Sequence, residues 1–497
     1  MLRPFSVSSA AISAIAAVLI APALAYGQAP PQAPAQPAPA PSPWTFTVRD
    51  TLRLENWHYF EPKPGGGDPD YTFVGNRLLF EGRYNTSRVE VRLSGQWVGL
   101  FNLPTNSLGP GALGTGPLYY AQGGNRENPQ RVFPKYLYVR LKQLLPGFDV
   151  QLGRQAYASG AEAVSGIPKI VAIKRQRLDA RLVGEFEWSL YQRSFDGVRL
   201  EWAGTGARVT GAALMPTQGG FAREAEKTMT DLWVYGGTLN LLPSDALKNT
   251  EIQAFVWRYD DSRAVTGRPD NTGRSSPGGA DVGVNTFGGA LLGAYPAGGG
   301  QVDVLAWLAA QNGTWYDHDH GAVSFATEAG YQWTRARWSP WLRLGFSHAS
   351  GDDDPTDGEH GTFFPMLPTM RRYSMTTANS TMNLDDLFVL AVLRPTPSLN
   401  LRIDWHRLWL ADAADRWYAG SGATLSEGGN FGYVSRPSNG STDFGKSLEV
   451  SAAYTFNKYW SVNGFLGRMW GGPVVTGTFA GNGLWFFYLE NGITLTR

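Results

Sequence analysis

The chain has no cysteine, so neither a disulfide framework nor a lipid anchor on a cysteine is available to it. After residue 25 no apolar run approaches the roughly 20 residues that a membrane helix needs, which excludes spanning by helices. Charge has no bias either. Lys and Arg number 43 against 42 Asp and Glu, a formal net charge of +1, which argues against a nucleic-acid partner and leaves any electrostatic selectivity to local placement. Domain punctuation is also scarce. The one Pro/Ala-rich stretch, residues 26–43, reads as a periplasmic linker. Some 450 residues then follow without an obvious boundary, against a usual ~100–200 per domain.

What precedes the linker is an export signal. Arg3 leads an apolar run from Ala10 to Ala25 that closes on Ala23, Leu24 and Ala25, so residues 1–25 read as a secretory signal peptide cleaved after Ala25. Residues 44–497 read as short alternating strands. Trp44, Phe46, Val48, Leu52 and Leu54 hold one parity, and Thr45, Thr47, Arg49, Thr51, Arg53 and Glu55 hold the other. Tight turns are expected near Asn85, Pro146, Gly204, Gly298, Ala336, Pro395 and Lys458, with a slightly longer one from Pro243 to Asn249. Long connections alternate with them, at Glu61 to Asp70, Leu100 to Val132, Tyr157 to Glu185, Thr217 to Thr230, Asp261 to Gly283, Asn312 to His320, Ser350 to Asn383, Ala411 to Gly445 and Gly471 to Gly483.

That layout predicts an all-β fold, a transmembrane antiparallel barrel of about 18 strands with short periplasmic turns, long extracellular loops and both termini on the short-turn side. A barrel of that size encloses a lumen rather than a packed core. Aromatics make up 13% of the chain. Trp57, Trp97, Tyr136, Trp202, Trp257, Tyr295, Trp333, Trp409, Phe456, Tyr459, Trp470 and Trp485 fall near strand ends, as two interfacial girdles would.

A cation at the midplane of the lipid face costs about 2–4 kcal/mol, so the charged parity of each strand should face the lumen. On that rule Arg49, Arg53, Arg77, Arg199, Arg343, Arg402 and His406 line the channel, together with Glu90, Arg92, Arg140, Asp404 and Glu449. Such a mixed wall is compatible with an electropositive constriction and equally with ion pairs that stiffen the barrel. Arg154 shares parity with the apolar Val150 and Leu152, and only a bulge at Gly153 would turn it inward.

Two patterns resemble chemistry. Gly440 to Ser447 spells a phosphate-binding loop, but Leu448 to Ala452 continue as a strand where that motif needs a helix, so nucleotide binding is rejected. Asp317, His318, Asp319 and His320, with Asp352, Asp353, Asp354, Asp357 and His360 further on, are weak metal candidates and read more simply as acidic loop tips. No nucleophile and base set clusters at one rim, which disfavours a barrel enzyme, and nothing in the pattern requires a cofactor.

The chain resembles the alginate export family of outer-membrane proteins. The resemblance is carried by Leu152-Gly-Arg-Gln155, Arg181-Leu-Val-Gly184 with Trp188, and Arg193-Ser-Phe-Asp-Gly-Val-Arg-Leu200. It continues through Ser350-Gly-Asp352, Arg394-Pro-Thr-Pro397, Asp404-Trp-His406 and Asp415 to Tyr418. It implies an eighteen-stranded barrel that passes a linear anionic polysaccharide outward, with Arg154, Arg193, Arg199, Arg402 and His406 as lumen contacts. The chain departs from the family in three places. Ala161 to Arg177, with Lys169, Lys174 and Arg175, looks like an insertion, either a surface element or a fold-in. Every short-side turn is brief, and the chain ends Leu495-Thr-Arg497 rather than on an aromatic.

The expected function is a passive outer-membrane channel exporting an alginate-like polysaccharide or related acidic solute, with the Leu100 to Val132 loop a candidate gate. The alternative is a general or substrate-selective porin for small solutes. Expected partners are the transported acid, outer-membrane lipid and the export machinery of the periplasm, which the linker is long enough to reach.

Overall fold

The computed structural model describes residues 42–109, 116–276, 278–376 and 378–497. The expected signal peptide and nearly all of the linker lie outside them. Eighteen strands form the barrel. The first nine are β1 (Trp44–His58), β2 (Asp70–Asn85), β3 (Val89–Phe101), β4 (Gln130–Leu145), β5 (Phe148–Gln155), β6 (Phe195–Ala203), β7 (Ala207–Pro216), β8 (Leu232–Leu241) and β9 (Thr250–Asp261). The second nine are β10 (Val282–Ala297), β11 (Gly300–Trp315), β12 (His318–Gln332), β13 (Trp341–Ala349), β14 (Leu384–Thr396), β15 (Leu399–Trp409), β16 (Asp443–Thr455), β17 (Trp460–Gly471) and β18 (Gly483–Thr496).

Each strand pairs antiparallel with the next, and β1 closes on β18 from Thr47↔Thr496 to His58↔Trp485. Closure leaves no sheet edge, the condition for a sheet to stand in lipid. No helix is long and apolar enough to cross a membrane among the described residues.

The eight short turns lie at 86–88, 146–147, 204–206, 242–249, 298–299, 333–340, 397–398 and 456–459, where the turn residues place them. Alternation then sorts the faces. Leu93, Leu137, Val139, Leu200, Leu342, Leu344, Ile403, Leu448 and Val450 are exposed on the outside, while Glu90, Gln96, Arg343, Asp404, His406 and Glu449 are buried inside.

Three expectations fail. Asn312 to His320 is not a long connection: Asn312 and Gly313 stay in the ladder, which runs on to Trp315↔His318 and leaves only Tyr316 and Asp317 in the turn. Trp57, Trp257 and Tyr136 do not belong to a girdle. They face inward, where loop residues pack the lumen and give large rings a dry environment. The connection expected over Tyr157 to Glu185 runs on to Ser194, because Phe186 and Gln192 adopt positive φ (both 56°) and break the strand pattern.

Candidate functional site in the barrel lumen

The lumen is crossed by the connection between β5 and β6, residues 156–194. Its centre is the short helix α1 (Pro168–Ile173), begun by a proline that fits the first turn, and continued by a wider turn over Lys174–Leu178. Ile170, Ile173, Leu178, Leu182 and Val183 are buried against the inner wall. The charged side of the same segment reaches carboxylates on β9, β11 and β12. Lys169 Nζ stands 3.5 Å from Asp303, Lys174 pairs with Glu251, and Arg177 Nε donates to Glu328 at 2.9 Å. Glu328 also accepts from Arg343 Nη2 at 2.8 Å and has Arg181 Nη2 at 3.6 Å. Arg343 pairs in addition with Asp303. Lys169, Arg177, Arg181 and Arg343 thus surround two carboxylates, Asp303 and Glu328.

The far end of the strap is held through its backbone by the opposite wall. Arg53 Nη1 donates to Trp188 O at 2.6 Å, Arg77 Nη1 to Ser189 O at 3.2 Å and Gln96 Nε2 to Tyr191 O at 3.3 Å, while Lys135 donates to Arg193 O. The insertion is therefore a fold-in. From the described residues of the connection 102–129, Tyr119 reaches in and accepts the Leu190 N–H at 2.8 Å.

A second connection, 350–383, docks on the strap. Leu367 N–H donates to Leu182 O and Gly184 N–H to Leu367 O, both at 2.8 Å, and Thr369 N–H donates to Ala180 O at 2.9 Å. Glu449 on β16 holds it from the wall, accepting from Met375 N–H at 2.9 Å and from Ser374 and Thr376. Beyond this junction lies Arg371, with its guanidinium 3.6 Å from the Trp188 ring centre and 4.5 Å from that of Phe486. Burial, opposed by Glu55, pulls Arg371 down to about 10, still charged at neutral pH. Its neighbour Arg372 pairs with Asp179 at 3.1 Å and with Glu187. Between strap and wall, the gaps beside Arg181 and Trp307 hold about 10 Å³ each, the limit for one water.

Arg53 forks onto Glu490 (2.6 and 2.8 Å) and Arg77 stands beside it on β2. Arg199 pairs with Glu201, Arg402 Nε with Asp404 at 2.6 Å, and His406 Nδ1 with Asp386 at 2.9 Å. Arg49 is exposed on the lumen parity, with no ion pair among the described residues. Arg193 is buried at the end of the strap and donates to Ser421 O at 2.6 Å, and burial pulls it down to about 10. Arg154 is not in the lumen. The ladder runs Leu137↔Arg154 and Val139↔Leu152 without a shift, so Arg154 keeps the outward parity and forks onto Asp196 at 2.7 and 2.9 Å.

The four metal candidates do not converge. His318 and His320 point inward from β12, Asp317 in the turn pairs with Arg268 and Arg274, and Asp319 is exposed. His320 instead meets His360 through their Nδ1 atoms at 2.9 Å. No group of three or more ligating side chains forms a metal site among the described residues. Sequence reasoning overlooked Arg371 and Arg372. Its available signal was the apolar run Phe363-Phe364 and Met366-Leu367, out of place in a loop read as external.

An up-and-down barrel of eighteen strands, with apolar residues outside and a charged, loop-filled lumen, defines the class of outer-membrane channels. Solved structures share this fold. OccAB1 of Acinetobacter baumannii superposes with a TM-score of 0.56 at 10% identity, over 91% of this chain and 96% of its own. OccK9 (OpdG) of Pseudomonas aeruginosa gives 0.56 at 11%, over 91% and 98%. OpdK of Pseudomonas aeruginosa, solved with vanillate, gives 0.52 at 12%, over 91% and 99%. No curated protein sequence matches. The chain belongs to the alginate export family, whose model matches residues 135–476.

Proposed function

We propose that this outer-membrane channel passes carboxylate-bearing solutes, bound reversibly by arginines of the strap and of the docked connection 350–383, which together plug the lumen. One observation carries the reading. Arg177 Nη1, Arg181 Nη2, Arg193 Nε and Nη1, and Arg371 Nε and Nη2 are all buried and have no hydrogen-bonding protein partner. Leaving a buried donor unmade costs about 1–3 kcal/mol, and more for a charged group, so these atoms favour an incoming acceptor. Guanidinium forks pair with carboxylates, and several weak sites in series let an anion enter and still leave.

Gaps at the limit for one water exclude a polymer in the plugged state and admit a small acid only as the plug side chains yield; OpdK, a protein of the same fold, was solved with vanillate, one such acid. Family membership supports the second reading, export of an anionic polysaccharide, which requires the strap to leave the lumen. Single-channel currents in a planar bilayer separate the two. Galacturonate at millimolar concentration is expected to flicker the current of the wild type and not of Arg371→Gln. A polyuronate that blocks while the monomer does not would favour the polymer, and indifference to both would overturn the proposal.

A further inference from the structure

Cations occur on the outer face of the barrel as well, close to the external ends of three consecutive strands, with tryptophans on the third and on the fourth. Arg407 of β15 lies opposite Lys446 of β16, Lys446 opposite Trp470 of β17, and Arg468 of β17 opposite Trp485 of β18. All share the parity of Ile403, Trp405, Leu448 and Leu466, which are exposed to lipid. Each cation lies within three residues of its strand end, about 10 Å along the strand, at headgroup depth rather than in hydrocarbon. Strands spaced ~4.8 Å apart make the stripe about 15 Å wide, enough for a disaccharide.

The charge of this stripe is unbalanced. Asp443 serves Arg407 at 2.7 Å, but Arg468 and Lys446 have no ion pair or hydrogen bond among the described residues. Arg468 lies 4.5 Å from the Trp485 ring centre, and Lys446 is 5.9 Å from that of Trp470. Gly483 makes room, since a Cβ there would sit 2.6 Å from Arg468 Nη2. The acids on either side are taken: Asp385 by His348 at 2.6 Å and Asp70 by His58 at 2.7 Å. Elsewhere on the outer face Arg154 and Arg258 each carry their own carboxylate, Asp196 and Asp260, both at 2.7 Å. We propose that the external rim of β15–β18 binds the phosphates of the acylated, phosphorylated sugar lipid of the outer leaflet, with Arg468 and Lys446 as the phosphate contacts and the tryptophans packing on its sugar and upper acyl chains.

The test is native mass spectrometry of the delipidated full chain titrated with bisphosphorylated lipid A, its dephosphorylated analogue and phosphatidylethanolamine. Heat-dependent gel mobility serves as the check that each variant is folded. The wild type should prefer the bisphosphorylated lipid at least tenfold over the dephosphorylated one. The Lys446→Gln/Arg468→Gln double variant should lose that preference, and Arg258→Gln should keep it. Equal binding of the two lipids to the wild type, or an undiminished preference in the folded double variant, would overturn the proposal.

Discussion

Replacing Glu328 by Gln would remove the charge on which the strap is anchored. Its carboxylate takes Arg177 Nε at 2.9 Å and Arg343 Nη2 at 2.8 Å, with Arg181 Nη2 at 3.6 Å, all buried. Removing one partner of a buried ion pair costs about 3–5 kcal/mol, because the charges left behind have lost both solvent and partner. The closed ladder of eighteen strands will not yield first. The cost falls on the element with the smallest opening free energy, the strap itself. At 1.4 kcal/mol per factor of ten, even the lower figure raises strap opening about 100-fold. Hydrogen exchange read by mass spectrometry reports this directly. The Val171, Asp179 and Ala180 amides donate to Ile167 O, Lys174 O and Ser159 O, and their exchange should quicken by about that factor in Glu328→Gln while strand amides keep their protection. Exchange within twofold of the wild type would refute the idea that this carboxylate pins the strap.

The docking of 350–383 should depend on pH through Asp352, whose carboxyl is pushed up to about 7 by burial and by the Asp415 carboxylate, which is itself held by Thr362, Tyr418 and the Asp352 amide. A detached loop would return Asp352 to about 3.9, so docking is strongest below that value, weakens as pH rises towards 7 and is flat above. Exchange of residues 350–364, corrected for intrinsic rate, should be slower at pH 5 than at pH 8 and lose part of that difference in Asp352→Asn, the rest belonging to Asp415, which burial pushes up to about 6; a wild type indifferent to pH would contradict this. Tyr119→Phe strips the buried Leu190 amide of its acceptor, at about 1–3 kcal/mol, and should speed exchange there by roughly fivefold or more. Gly153→Ala places a Cβ 2.3 Å from Leu137 O at φ +114°, so the β4–β5 seam must part and refolding yield should fall, whereas Gly95→Ala, which meets nothing within 4 Å, should refold normally.

The barrel is legible because its signals are local. A parity of two and a turn residue at each short hairpin fix strand number and facing without any knowledge of neighbours, and Arg343, Asp404 and His406 follow from parity alone. Identity is a poorer guide than parity. Trp57 shares its face with Arg53 and Glu55, yet its aromatic character suggested a girdle. The plug is illegible for a different reason. Lys169, Lys174 and Arg177 stand out as a basic insertion, but their partners Asp303, Glu251 and Glu328 lie on three different strands, a pairing that only the closed sheet creates. Arg371 depends likewise on Trp188 and Phe486, which are distant in the chain.

Reversal potential under a tenfold salt gradient tests the central claim most directly, comparing the wild type with the Arg181→Gln/Arg371→Gln variant in the same bilayer. A plug whose buried guanidiniums select acidic solutes predicts an anion-biased potential in the wild type that moves towards zero in the variant. A potential near zero in both, or a cation bias in the wild type, would contradict it.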